Sequence, residues 1–87
     1  MNFLKFDLGS LHFGKTVEVT LHGNAANVRL LDYSNFYSYV HGRVYDSIGG
    51  LITESPVKFS IPNHDHWFLV IDMAGLKGIP DASVKIH

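Results

Sequence analysis

Trp67-Phe68-Leu69-Val70-Ile71 is the stretch on which the fold turns. Five consecutive apolar residues, aromatic and β-branched among them, leave a strand no side that tolerates water. Such a strand has to be covered on both faces. The run follows the turn signal Pro62-Asn63-His64-Asp65 and stops at Asp72. Most other strand candidates alternate and have a single face to bury. Residues 67–72 are therefore expected to form the central strand of a small β-sandwich, with the rest of the chain folded over it.

Working outward, Val57, Phe59 and Ile61 face one way while Lys58 and Ser60 face the other. Beyond the central strand, 72–81 reads as a loop punctuated by Gly and Pro, with Leu76 and Ile79 tucked beneath it. Residues 82–87 alternate again, Val84 and Ile86 inward. The cleanest period of two lies at 16–22, where Val17, Val19 and Leu21 oppose Thr16, Glu18, Thr20 and His22. Gly23-Asn24 supplies a turn, and 26–31 returns with Val28 and Leu30 inward and Arg29 outward. These two segments are expected to form a hairpin, with Arg29 and Asp32 paired across it.

Residues 3–8 give a first strand at a sheet edge, broken by Gly9-Ser10. Leu11 and Phe13, in a loop over 11–15, are expected to plug one end of the core. Residues 43–47 read as a short strand, Gly49-Gly50 as a sharp bend or a close backbone approach, and 51–53 as a further extended piece. Between them, Ser34 is placed to cap a short helical turn over 35–41 that Gly42 ends; the other reading is an extended loop crossing between sheets. Seven or eight short strands with turn signals about every ten residues make an all-β chain, a single antiparallel sandwich over residues 1–87.

A chain of 87 residues buries roughly 60–65% of its unfolded surface, enough for one modest core. Hydrophobic residues make up 46% and charged residues only 17%, a sparse coat that points to a covered surface. The 7 Lys and Arg are scattered, so there is no footprint for nucleic acid. The absence of cysteine removes disulfides and thiolate chemistry. Charges stand where a signal peptide would be apolar, and no run nears the ~20 residues of a membrane span. A soluble cytoplasmic protein is expected.

Chemistry is thin. His64 and His66 share a side if extended and would need His41, His22 or Asp72 as a third metal ligand; as part of a turn they make a weak pair. His66 is expected instead to hydrogen-bond a neighbouring strand or loop. None of the 7 serines sits on a nucleophile elbow, and Glu18 and Glu54 fall on exposed positions. Asn24 and Asn27 read as turn residues. No cofactor motif occurs. The informative cluster is aromatic: Tyr33, Phe36, Tyr37 and Tyr39, with Tyr45 and Arg43 beside them. Phe36 is assigned to covering the core. Tyr33, Tyr37, Tyr39 and Arg43 are candidates for a ligand or partner surface.

Gly23-Asn24-Ala25-Ala26-Asn27-Val28-Arg29-Leu30, Ser34-Asn35-Phe36, Gly49-Gly50-Leu51, Ser55-Pro56-Val57 and His66-Trp67 resemble a small bacterial family, the domain of unknown function numbered 1883. The likeness runs from Phe3 to Ile86. It implies a compact β-domain, in some members joined to signalling domains of the Toll/interleukin-receptor type, and hence a sensing or interaction module. The pattern is also similar to the jelly-roll-like sandwiches appended to secreted proteases, an analogy of fold alone. The resulting expectation is a non-enzymatic module that binds a protein partner or a copy of itself. The alternative is a small-ligand or carbohydrate-binding sandwich that uses the surface rings of residues 33–45, with a concave groove lined by Tyr37 and Tyr39. A metal-assisted hydrolase at His64 and His66 comes third.

Overall fold

In the computed structural model, which describes residues 3–23, 25–73, 76, 78 and 81–87, the apolar run belongs to β6 (Asp65–Asp72). Every residue from Trp67 to Asp72 is buried. On one side β6 pairs antiparallel with β1 (Phe3–Leu11), on the other with β3 (Ala26–Asp32). Adding β4 (Ile48–Ile52) gives a four-stranded sheet in the order β1-β6-β3-β4. A second sheet holds β5 (Val57–Ser60), β2 (Thr16–Leu21) and β7 (Ala82–Ile86) in the order β5-β2-β7. Seven strands form the two sheets, and all their pairings are antiparallel.

Alternation decides which side chains meet. Val17, Val19 and Phe59 of the small sheet pack against Val28, Leu30, Trp67, Leu69 and Ile71 of the large one. The other side of the large sheet is covered by α1 (Tyr33–Val40). There Leu31, Val70 and Tyr39 are buried together, with Phe3, Phe36 and Tyr45 at the margin. The two coverings explain the continuous apolar run: odd positions of β6 face the second sheet and even positions face the helix. Each fully buried aliphatic side chain there contributes about 1.5–3 kcal/mol.

The helix has defined ends. Asp32 is its N-cap, and its carboxylate accepts the backbone N–H of Asn35 at 3.0 Å. At the other end Gly42 adopts φ +69°. Its N–H donates to the Tyr39 carbonyl (3.2 Å) and the Arg43 N–H to the Ser38 carbonyl (2.8 Å), the paired bonds of a Schellman cap. The expected turn at 35–41 is thus a two-turn helix that starts at Tyr33, because Asp32 and not Ser34 fills the capping position.

Other expectations need correction. β2 and β3 lie in different sheets and form no hairpin; each has one apolar face, which facing sheets satisfy as well as adjacent strands do. Arg29 accordingly pairs with Asp72, not Asp32. β1 does not stop at Gly9: its register shifts between Asp7 and Gly9, a bulge with φ +72° at Gly9, and pairing resumes to Leu11. Leu11 is buried, but Phe13 is 78% exposed and plugs nothing. Residues 43–47 are not a strand; β4 starts at Ile48 and includes both glycines. Ile86 is exposed, whereas Val84 packs on the core's edge. Asn24 and Ile79 lie outside the described residues. Among the described residues no helix is long and apolar enough to cross a membrane; α1 has eight residues.

Candidate functional site

The outer side of the large sheet carries the aromatic cluster, and a buried carboxylate fixes it there. Asp72 is 3% exposed. It accepts from Arg29 Nη1 at 2.9 Å, Tyr39 Oη at 3.0 Å and Asn27 Nδ2 at 3.0 Å. Arg29 and Asn27 project from β3 on the side facing the helix, while Tyr39 reaches down from α1. Burial, and then the bond to Asp72, push the Tyr39 hydroxyl well above the usual phenol range. The hydroxyl therefore stays protonated and keeps donating, which pins the C-terminal half of α1 to the sheet.

Tyr39 is 3% exposed and sealed between Phe3 (5.3 Å, edge-on) and Tyr45 (5.1 Å, edge-on). It leaves the set of candidate contact residues, since a partner cannot reach it. Tyr33 and Tyr37 remain, 59% and 46% exposed, one helical turn apart. Val40 continues the same stripe and is also exposed. Arg43 lies over the Tyr37 ring at 5.7 Å, and the His41 ring stacks on its plane at 4.1 Å. His41 Nδ1 donates to the Tyr37 carbonyl at 2.8 Å, which holds the imidazole in place.

The stripe is braced from below. Phe36 stacks on Phe68 at 4.1 Å, and His66 stacks on Phe68 at 4.8 Å. Tyr33 meets the edges of this stack, and the Lys5 ammonium stands 5.7 Å from the Phe36 centroid. His66 Nε2 donates to Asp7 Oδ1 at 2.6 Å, the bond across to β1 that the sequence led one to expect. This bond is the main cause that lowers the Asp7 pKa below its ordinary 3.8.

His64 turns away from His66. Its Nε2 contacts Ser10 Oγ at 2.9 Å, and its ring lies 4.4 Å from that of His12. Asp72, proposed as a third ligand, sits at the far end of β6 bonded to Arg29. Among the described residues no three His, Asp or Glu side chains gather as a metal-binding group.

Among the described residues, two of the surface clefts have volumes of about 210 Å³, and neither of these is lined by the candidate tyrosines. One, beside Trp67, is walled by Asp32, Asn35, Asp46, Ser47 and Asn63. Its polar groups are largely stitched to one another: Asn35 Oδ1 accepts the Asp46 N–H (2.9 Å) and Trp67 Nε1 donates to the Asn63 carbonyl (3.1 Å). The second lies on the outer side of the small sheet, among Glu18, Thr20, His22, Ser83 and Lys85. His22 Nε2 and Ser83 Oγ are 2.7 Å apart there, a contact the sequence reading missed because 61 residues separate them. Glu18, the carboxylate of that cleft, accepts from His87 at 2.8 Å. A hydrolytic arrangement would need it behind His22.

A family model described as Domain of unknown function (DUF1883) matches residues 1–87. Comparisons with curated proteins and with solved structures return no match.

Proposed function

Since the chain belongs to the family described as Domain of unknown function (DUF1883), a description that assigns no activity, we propose from its geometry that it is a non-enzymatic protein-binding module whose contact surface is the outward stripe of α1. The observation that carries this reading is the spacing of Tyr33, Tyr37 and Val40, three exposed residues at i, i+4 and i+7 on a helix already bonded to the sheet beneath it. The fold engages only one side of these rings and leaves the rest open. Tyrosine with a flanking arginine is the composition of interface centres, where a ring excludes water and its hydroxyl still finds a partner. Because Asp72 and the Phe36–Phe68 stack hold the helix still, little ordering entropy remains to be lost on binding.

The arrangement favours this reading over the other two. A ligand groove between Tyr37 and Tyr39 has no place where Tyr39 is buried. The two histidines of the metal-assisted hydrolase point to different neighbours.

The test is quantitative affinity capture with the native chain and with the double variant Tyr33→Ala/Tyr37→Ala. Removing two interface tyrosines costs about 2 kcal/mol or more, which is roughly 30-fold in affinity. A protein held by the native chain is therefore expected to be lost by the variant, which a cooperative thermal melt shows to be folded. Identical captured sets from both would refute the proposal.

A further inference from the structure

Four strands form the edges of the two sheets: β1, β4, β5 and β7. An edge exposes backbone donors and acceptors to any other strand, and proteins guard edges with charges, prolines or bulges. β1 carries Lys5, Asp7 and the bulge at Gly9. Lys58 stands within β5 and Lys85 within β7. β4 is Ile48-Gly49-Gly50-Leu51-Ile52, with no charge, no proline and an unbroken register against β3. Leu51, next to its central Gly50, is 58% exposed.

From these observations we infer that β4 pairs antiparallel with β4 of a second copy of the chain, joining two four-stranded sheets into one across a two-fold axis at Gly50. The order of side chains in the strand argues for a copy of itself over an unrelated peptide. A two-fold at Gly50 sets Ile48 opposite Ile52 of the second copy, both toward the core side. It sets Leu51, on the outer side, opposite Gly49, whose positive φ would turn any Cβ inward toward Val28 and Phe59 and so leaves its outer side bare; the two residues pair with Asn27 and Arg29 of β3. The exposed leucine of each copy thus lies over bare backbone of the other. That bare position is built in. Gly49 has φ +107°, and a Cβ there would run into the Val28 carbonyl, so no larger residue fits.

A five-residue pairing buries less than the ~1,200–2,000 Å² of a stable interface, so the dimer is a weak one. Asp46 and Glu54 flank the strand, and the same two-fold brings each toward the other on the second copy. Salt screens that repulsion, so added salt favours association. The surface used is separate from the α1 stripe, and the two proposals stand or fall independently.

Sedimentation of the native chain between about 10 μM and 1 mM, the range suited to a small interface, reads this directly. The mass is expected to climb toward that of a dimer, more so at higher salt. Leu51→Lys, at an exposed position that leaves the fold intact, is expected to stay monomeric, while Tyr33→Ala/Tyr37→Ala associates like the native chain. As a check needing no variant, the amide resonances of residues 48–52 should move with concentration while those of α1 stay put. A native chain that remains monomeric at the top of the range would overturn the inference. So would a Leu51→Lys chain that still dimerises, association that salt weakens, or concentration-dependent shifts centred on α1.

Discussion

Asp72 ends the apolar run with a buried carboxylate, and its donors come from far along the chain: Arg29 is 43 residues away and Tyr39 is 33. In the sequence it read as the residue where the strand stops and as one candidate third ligand for His64 and His66. Nothing local marks a carboxylate that holds a helix onto a sheet, which is why this anchor was not legible. Asp72→Ala leaves the Arg29 guanidinium half-buried without its counter-charge and is expected to cost about 3 kcal/mol in urea unfolding. Tyr39→Phe removes one bond to a charged acceptor and should cost about 2 kcal/mol. A loss well under 1 kcal/mol for the alanine variant would mean that the network does not anchor α1. Two carboxylates bonded to histidines, Asp7 exposed and Glu18 half-buried, contribute to acid behaviour. Asp7 is lowered from 3.8, chiefly by its bond from His66, and Glu18 from 4.5, chiefly by its bond from His87. A lowered folded-state pKa gives stability that is complete above the unfolded value and disappears as pH falls through the folded one. Thermal melts should therefore weaken below about pH 4.5, the ordinary Glu18 value. The decline should be shallower in Asp7→Asn; equal slopes for both chains would contradict this.

At the scale of elements, strand faces were readable and strand neighbours were not. The period of two at 16–22 correctly placed Val17 and Val19 inward, and the same logic placed Val28, Leu30, Phe59 and Ile61. It gave no information on which sheet each strand joins, so two consecutive alternating segments looked like a hairpin although they face each other across the core. The glycines misled in a related way. Gly9 was read as a break, but a bulge lets the strand continue past it; of the two readings of Gly49-Gly50, the bend fails because both lie within β4, while the close backbone approach holds at Gly49, which sits against the Val28 carbonyl. Gly49→Ala places a methyl against the Val28 carbonyl at a φ unfavourable to L-residues, and is expected to cost about 2 kcal/mol or more. Chemical denaturation checks this, and a neutral result would mean that the backbone at 49 is not held as described.

For the whole molecule, the chain changes sheets at each connection except the one between β3 and β4, which carries α1. Placing the helix there puts a third layer on the large sheet, and the sparse charge of the sequence, 17%, fits a molecule with apolar surface left on that layer and on the β4 edge. The aromatic density at 33–45 announced that something would be covered, but only the fold separates Tyr39, which does the covering, from Tyr33 and Tyr37, which remain outside. All of this depends on β6 being enclosed between the second sheet and α1. Native-state amide hydrogen exchange tests that enclosure most directly, because it reports the free energy needed to expose each backbone group. The amides of Leu69, Val70 and Ile71 are predicted to exchange only through global unfolding, with protection matching the full stability from denaturation. Exchange of those amides by local opening, as fast as in β5 or β7, would contradict the enclosure of β6.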